Sequence, residues 1–184
     1  MSTVDLVLLG MVYEQPCSAY EIQKNIEYRN LSKWVKVSSP SIYKKVIQLE
    51  AKGYLAGAAV REGKMPEKAV YSITPLGKDY FMALMKAHAA RTVSVMFDFN
   101  AVVANLNKVP KEQALELIAA IRFGIGDSKS YMEKMVPQRQ QIPLVGQTIL
   151  HQQIQVLEAL QSWVDSFEKA FIRLEEGKCN KKKD

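Results

Sequence analysis

A stripe of six apolar residues lies near the end of the chain. Its spacing alternates between three and four residues over nearly three heptads. This spacing is typical of a helix that buries one narrow face along another helix. It predicts a helix over about 144–176 that packs on a second copy of the chain, which we favour, or on the chain's own earlier helices. The heptad stripe consists of Leu157, Leu160, Val164, Phe167, Phe171 and Leu174.

The composition is that of a folded protein. Of 184 residues, 48% are hydrophobic and 24% are charged, which excludes a disordered chain and suits one domain or two small ones. The first residues lack the basic segment of a signal peptide, and no apolar run approaches the roughly 20 residues of a membrane span. We therefore expect a cytoplasmic protein without a membrane partner.

Positive charge is concentrated in one segment. Residues 33–68 contain eight basic and three acidic side chains, whereas residues 86–177 contain ten of each. The last seven residues contain four Lys and one Asp. This distribution predicts that the first half binds a polyanion and that the second half has a different role.

Helical periodicity predicts three short helices, over about 3–13, 18–30 and 39–52. Ser18 and Ser39 are suitable N-caps, and Ser39 is followed by proline, which the first helical position tolerates. The second and third helices thus each begin at a local signal.

The third helix has two chemically different faces. Ile42, Val46 and Leu49 recur at helical spacing and predict a buried face, and Gly53 predicts the end of the helix as its C′ residue. The residues on or beside the opposite face are Ser41, Tyr43, Lys44, Lys45 and Gln48.

Two short segments follow, about 55–62 and 69–74, joined by a basic connection that contains Gly and Pro. They predict a β-hairpin. Thr74-Pro75 repeats the cap-then-proline signal and begins a helical stretch that we predict to continue through Leu106. Another helix is predicted over about 110–135.

Three short helices followed by a two-stranded hairpin are the elements of a winged helix-turn-helix, in a fold that is mainly α (α+β). In this fold the third helix enters the DNA major groove and the hairpin, or wing, contacts the backbone or the minor groove. The side-chain types suit phosphate and base-edge contacts. The candidate DNA-binding residues are Ser39, Ser41, Tyr43, Lys44, Lys45, Gln48, Arg61, Lys64 and Lys68.

Several short motifs occur in a fixed order over residues 5–80. They are Leu8-Leu9-Gly10, Ala19-Tyr20-Glu21-Ile22, Ser41-Ile42-Tyr43, the run Leu49 to Leu55, Pro66-Glu67-Lys68, Tyr71-Ser72-Ile73-Thr74 and Gly77. Together they resemble the PadR-like family of transcriptional regulators. The resemblance implies a homodimeric, usually repressing regulator with an N-terminal winged helix and a C-terminal helical dimerisation region.

The resemblance also implies a division of the chain. We expect a DNA-binding domain over 1–80, a helical dimerisation and effector domain over 81–177, and a basic tail over 178–184. Carried over by position, the resemblance adds Tyr20 to the DNA contacts. The wing departs from the family at Ala69, where a second basic residue usually stands, and this removes one phosphate contact.

Members of the family often respond to small aromatic or amphipathic compounds. Pockets for such compounds are mostly apolar with a few polar groups. The alternative is that the aromatic and Met residues form only the core or a dimer interface. The candidate effector residues are Trp34, Met96, Phe97, Phe99 and Trp163, with Phe123 and Phe167 as further aromatics.

The sequence lacks the motifs that the common enzyme sites require. Gly124-Ile125-Gly126 follows a helical pattern and lacks the remaining residues of a nucleotide-binding loop. His88 and His151 have no Cys or acidic residue at metal-ligand spacing, so we expect no metal, no cofactor and no catalysis. Cys17, at the start of the second helix, leaves a redox-sensing role open.

The sequence therefore predicts a homodimeric repressor that binds double-stranded operator DNA and is released by a small effector, with aromatic or phenolic compounds as candidates. The alternative is a winged-helix module that binds a protein and no specific DNA. The basic third helix favours the first hypothesis, and the missing wing cation favours the second.

Overall fold

The computed structural model describes residues 2–33, 35, 39–61 and 67–180, without the side chains of 33, 39–41 and 175–180. Two compact units divide the chain, Met1–Val93 and Ser94–Asp184. Within the described residues, no helix combines the length and the apolar character of a membrane span.

The elements are α1 (Thr3–Glu14), α2 (Ala19–Tyr28), α3 (Ser39–Ala51), β1 (Leu55–Val60), β2 (Lys68–Ile73), α4 (Pro75–Ala89), α5 (Asn100–Val103), α6 (Lys111–Gln138) and α7 (Leu144–Asn180).

The first unit has one hydrophobic core, to which α1, α2, α3, α4 and both strands contribute. Ile42, Val46 and Leu49 of α3 are buried in this core, as their spacing predicts. Burying three such side chains stabilises the fold by roughly 1.5–3 kcal/mol each. The polar side of α3 is therefore fixed outward.

Local signals set the ends of α2 and α3. The Ser18 hydroxyl accepts the N–H of Glu21 at 3.3 Å, and the Glu21 carboxylate accepts the N–H of Ser18 at 2.7 Å, which forms a capping box. At the end of α3, Gly53 has a φ of 74°, and the N–H of Tyr54 bonds to the carbonyl of Leu49 at 2.9 Å. The predicted cap at Ser18 and the predicted C′ role of Gly53 are confirmed.

The wing is an antiparallel pair in which Leu55 lies opposite Ile73 and Val60 opposite Lys68. The segment before α2 joins this sheet, because Cys17 and Tyr71 exchange backbone hydrogen bonds of 3.1 and 3.0 Å. The start of α2 is thus fastened to the middle of β2. A mainly helical fold with a two-stranded wing is confirmed.

The start of α4 is fastened to the end of α3. Thr74 Oγ1 accepts the N–H of Gly77 at 2.9 Å and donates to the carbonyl of Gly53 at 2.7 Å. A Cβ on Gly77 would lie 2.0 Å from the carbonyl oxygen of Tyr54, so this close approach requires glycine. The predicted cap at Thr74 is confirmed.

The structure differs from the sequence prediction beyond α4. The predicted helix through Leu106 is wrong, because α4 ends at Ala89 and residues 91–97 are not helical. Thr92, Val93 and Val95 are β-branched, and such residues lose side-chain freedom in a helix. The predicted domain boundary at 80/81 falls inside α4, whose Leu84 is fully buried in the first core, and the two units divide after Val93.

The second unit pairs α6 with α7. Val164 of the heptad stripe is buried against Ala114, Ile118 and Ile125 of this core. Four further stripe residues, Leu157, Leu160, Phe167 and Phe171, are partly buried there. At least part of the stripe therefore packs on the chain's own earlier helix, which was one of the two predicted partners. The last helix also continues through Gly177 to Asn180 instead of ending near Glu176.

Candidate nucleic-acid interface

The outer side of α3 carries exposed side chains of four chemical types. Tyr43 is 46% exposed, and Lys44 and Gln48 are also exposed. Ile47 lies among them and is 60% exposed although it is apolar. We call Tyr43, Lys44, Ile47 and Gln48 the reading face. It combines a hydroxyl, a cation, an amide and a branched hydrocarbon on one side of a helix whose other side is buried.

Lys45 makes a different contact from the one that the sequence predicts. Its Nζ lies 2.9 Å from Oδ1 of Asp5 on α1, and the Asp5 side chain is only 6% exposed. Tyr80 also directs its hydroxyl at Asp5, at 3.4 Å, which is long for a hydrogen bond. Because a buried carboxylate balances its charge, Lys45 is less available to a phosphate than Lys44.

Tyr20 on α2 is 59% exposed, so it belongs to the surface and not to the core. Nζ of Lys24 lies 5.6 Å from the centroid of its ring, within the range of a cation–π interaction. Lys24 was not among the predicted site residues. The signal for it is its position four residues after Tyr20, on the same helix face.

The wing presents cations at the outer ends of its strands. Lys68 begins β2, and its Nζ lies 3.2 Å from Oε1 of Glu21. The backbone and hydroxyl of Ser18 lower the pKa of the Glu21 carboxyl, and Lys68 lowers it further. Arg61 is exposed just after β1. Lys64 lies outside the described residues, as do the side chains of Ser39 and Ser41.

The predicted effector residues fall into separate groups. Phe97, Phe99 and Trp163 come together in the second unit, where Phe99 stacks on Phe97 at 5.2 Å and on Trp163 at 5.5 Å between ring centroids. Phe167 extends the stack from Trp163 at 5.6 Å. These rings form an aromatic ladder within one unit. Met96 and Phe123 are largely exposed, and Trp34 lies outside the described residues.

A redox-sensing role for Cys17 has little support. Cys17 is buried, and burial raises the pKa of its thiol to about 11, with Glu21 and Glu14 adding to the shift. A redox sensor depends on thiolate, which is scarce at neutral pH in such a site. In the part of the chain that the structure describes, no three His, Cys, Asp or Glu side chains form a group able to hold a metal ion.

A core of short helices with an outward third helix, followed by a two-stranded wing, defines a winged helix-turn-helix domain. Residues 8–83 match the model of the Transcriptional regulator PadR-like family, and they form a domain of this family. The resemblance recognised in the sequence is confirmed. No curated protein sequence matches the chain.

Solved structures resemble nearly the whole chain. PadR from Bacillus subtilis in complex with operator DNA is 16% identical, with a TM-score of 0.80 over 93% of this chain and 98% of the other. The same protein with p-coumaric acid is 15% identical, with a TM-score of 0.80 over 92% and 99% of the two chains. The Vibrio cholerae virulence activator AphA is 18% identical, with a TM-score of 0.70 over 94% and 99%. At these identities the likeness shows a common fold.

Proposed function

We propose that this protein is a transcriptional regulator that binds double-stranded operator DNA through α3 and the wing. The observation that carries the proposal is the reading face of α3. A helix enters the major groove with one side while the other side packs on the core, and α3 has this division. The fold-sharing Bacillus subtilis PadR was solved with operator DNA, which supports the same partner here.

The proposed contacts differ in kind. Lys44 on α3 and Arg61 after β1 neutralise phosphates, which supplies affinity without sequence information. Lys68 joins them by exchanging its 3.2 Å pair with the exposed Glu21 carboxylate for a phosphate. Tyr43 and Gln48 donate or accept hydrogen bonds at phosphates or base edges. Tyr20 adds a hydroxyl from α2. We keep Ser39, Ser41 and Lys64 as proposed contacts and assign Lys45 mainly to its pair with Asp5.

A gel shift on the chain's own promoter region tests the proposal, over a salt series and against random DNA. We expect saturable binding that outcompetes random DNA and weakens steeply with salt. Tyr43→Ala with Lys44→Ala is expected to abolish specific binding while the circular dichroism spectrum is unchanged. The matched control is Tyr131→Ala with Lys134→Ala on α6, which removes the same two side-chain types far along the sequence.

Unchanged affinity in the Tyr43 and Lys44 double variant would exclude α3 as the reading helix. Binding that is equal on promoter and random DNA calls for a genome-wide pull-down. A bound operator recovered elsewhere supports the proposal, and recovery of none favours the protein-interaction module.

We also propose that the protein acts as a homodimer through α7. Leu174 of the heptad stripe is 57% exposed, and four other stripe residues are only partly covered within the chain. Two winged helices in a dimer read a two-fold symmetric operator, which doubles the contacts that set affinity. Val156, also on α7, adds to the exposed apolar surface.

Sedimentation equilibrium tests this proposal. We expect twice the 20.8 kDa mass of one chain. Leu174→Lys is expected to favour the monomer, while Thr148→Lys, at an exposed polar position near the start of the same helix, leaves the dimer intact. A wild-type monomer at the concentrations used in the gel shift would exclude the dimer.

We propose in addition that the protein is a repressor and that a small aromatic compound releases it from DNA. The aromatic ladder supports this, since stacked rings favour planar ligands. The similar Bacillus subtilis PadR was solved with p-coumaric acid, which makes that compound the first probe. A ligand that binds the DNA-free form better shifts the equilibrium away from DNA.

The variant Trp34→Phe leaves Trp163 as the only tryptophan, so its fluorescence reports on the ladder. Because Trp34 is itself a candidate effector residue, release of the wild-type protein from DNA by p-coumaric acid is measured in parallel. We expect saturable quenching by p-coumaric acid and loss of the gel shift at the same ligand concentrations. Phe99→Ala is expected to weaken the quenching, and Phe123→Ala is its control. Quenching without any effect on DNA binding would contradict release by this ligand.

A further inference from the structure

Ile47 stands out on α3 because it is apolar and yet 60% exposed. Val46, the residue before it, is fully buried, so another branched side chain already occupies the inward position on this turn of the helix. At about 100° per residue, Ile47 lies about 40° around the helix from Tyr43 and about 60° from Lys44. It therefore shares the outer side of the helix with both.

A single exposed isoleucine is common on protein surfaces and needs no function. The neighbours of Ile47 make this one different. Tyr43, Lys44 and Gln48 surround it with hydroxyl, ammonium and amide groups, all of them exposed. These groups suit phosphates and the hydrogen-bonding edges of bases. The Ile47 side chain has neither a charge nor a hydrogen-bonding atom, so it suits neither.

The major groove offers one exposed apolar group, the 5-methyl of thymine. Cytosine has a hydrogen at that position, and the purines present polar atoms there. An isoleucine in the groove therefore gains most from thymine, and the contact carries sequence information that Lys44 at a phosphate does not.

We infer that Ile47 is a specificity-determining residue that packs against a thymine 5-methyl in each half-site of the operator. This inference rests on the proposed DNA-binding function and deepens it. The loss of one buried methyl contact corresponds to about fourfold in affinity, from roughly 0.8 kcal/mol per group. We therefore expect a modest contribution to affinity and a clear contribution to base preference.

The experiment begins with selection from a random duplex library by the wild-type protein. In the selected site, each thymine is then replaced in turn by deoxyuridine, which removes only the 5-methyl. We expect one thymine in each half-site at which this replacement weakens wild-type binding about fourfold. Ile47→Ala is expected to bind the thymine and uracil forms equally.

Two further variants separate a direct contact from a general effect. Ile47→Val keeps methyl groups at the helix surface and is expected to retain the preference for thymine. Leu76→Ala truncates another exposed apolar side chain of the same unit, and its preference is expected to match the wild type. The salt dependence of binding should be the same for all these proteins, since none of the changes alters charge.

The two levels of the proposal fail differently. If the wild-type protein enriches no site, both the DNA-binding function and the role of Ile47 are overturned. If a site is enriched but no thymine is sensitive to loss of its methyl, the role of Ile47 is overturned and DNA binding stands. The same holds if Ile47→Ala retains the full sensitivity of the wild type.

Discussion

Nζ of Lys45 on α3 lies 2.9 Å from Oδ1 of Asp5 on α1, and this ion pair fastens the proposed reading helix to the core of its domain. The Asp5 side chain is almost fully buried, while that of Lys45 is 31% exposed. A buried carboxylate is costly without a cation, so the pair holds α3 at a fixed position along α1. Under the proposed function, the role of Lys45 is to place its neighbours on the reading face.

Removal of Lys45 is therefore expected to destabilise the first unit. Lys45→Met leaves the Asp5 carboxylate buried without its cation, and we expect a loss of about 2 kcal/mol, below the range for fully buried pairs because Lys45 is partly exposed. Urea unfolding measures the change. Lys44→Met, one residue away and exposed, is expected to cost under about 0.5 kcal/mol.

A double variant distinguishes the ion pair from simple loss of contacts. Asp5→Leu combined with Lys45→Met removes both charges and is expected to be more stable than Lys45→Met alone. If the double variant is less stable than Lys45→Met, the free-energy cost of an unpaired buried carboxylate does not explain the loss of stability in Lys45→Met. Equal losses from Lys45→Met and Lys44→Met would refute the structural role of Lys45.

Signals within a few residues of each other account for what the sequence predicted well. Ser18, Gly53 and Thr74 each cap a helix through neighbours three to five residues away, and the buried face of α3 follows from periodicity alone. The pair between Asp5 and Lys45 joins residues 40 positions apart, which no local pattern reports. It appears only after α1 and α3 pack together.

The reading face shows a second limit. Ile47 was not among the predicted site residues, because its exposure on the outer side of α3 follows from how the helix packs and not from its apolar character. The helix end at Ala89 was also missed. The apolar residues Val93 and Val95 continued the pattern, although their β-branched side chains disfavour the helix.

Gly77 is expected to tolerate no side chain. A Cβ there would lie 2.0 Å from the backbone oxygen of Tyr54, so the start of α4 has to move away from the end of α3. We expect Gly77→Ala to destabilise the first unit by more than about 2 kcal/mol, as overpacking against backbone does. The loss is measured by thermal or urea unfolding.

Gly124 provides the matched control for Gly77. It lies inside α6, and a Cβ there meets nothing within 4 Å. Gly124→Ala is thus expected to stabilise the helix by up to about 1 kcal/mol. Similar effects of the two substitutions would show that the contact with Tyr54 does not constrain position 77.

Arg122 joins α6 to α7 in the second unit. Its Nε donates to Asp165 at 2.9 Å, and its two terminal nitrogens donate to the Glu168 carboxylate. These carboxylates raise the pKa of Arg122, with the hydrogen bond to Glu168 as the largest cause. Since all three side chains are partly exposed, we expect Arg122→Met to cost about 1 kcal/mol at low salt and less at high salt.

Lys129 is the comparison for Arg122. Its Nζ lies 3.7 Å from Glu133 and 3.6 Å from Glu158, so its pairs are longer than those of Arg122. Lys129→Met is therefore expected to cost less. Unfolding is followed by the fluorescence of Trp163 in the Trp34→Phe background, and an equal loss at low and high salt would argue against an electrostatic clamp.

Glu21 makes the stability of the first unit depend on pH. Hydrogen bonds from Ser18 lower the pKa of Glu21 from its ordinary value of 4.5, and Lys68 lowers it further. A carboxyl with a lowered pKa in the folded state stabilises that state above its unfolded pKa, and the contribution is lost as the pH falls through the folded value. Because the Glu21 side chain is 44% exposed, we expect less than about 1 kcal/mol.

Glu21→Gln tests this dependence, since glutamine keeps the shape of the side chain and cannot ionise. The difference in unfolding free energy between wild type and Glu21→Gln is expected to be largest near about pH 7 and to shrink below about pH 4.5. Lys68→Met removes only the weaker cause of the shift, so this variant should retain most of the wild-type pH dependence. A difference that is constant with pH would mean that the Glu21 charge does not stabilise the capping box, and a flat profile in Lys68→Met would transfer the main effect from Ser18 to the wing.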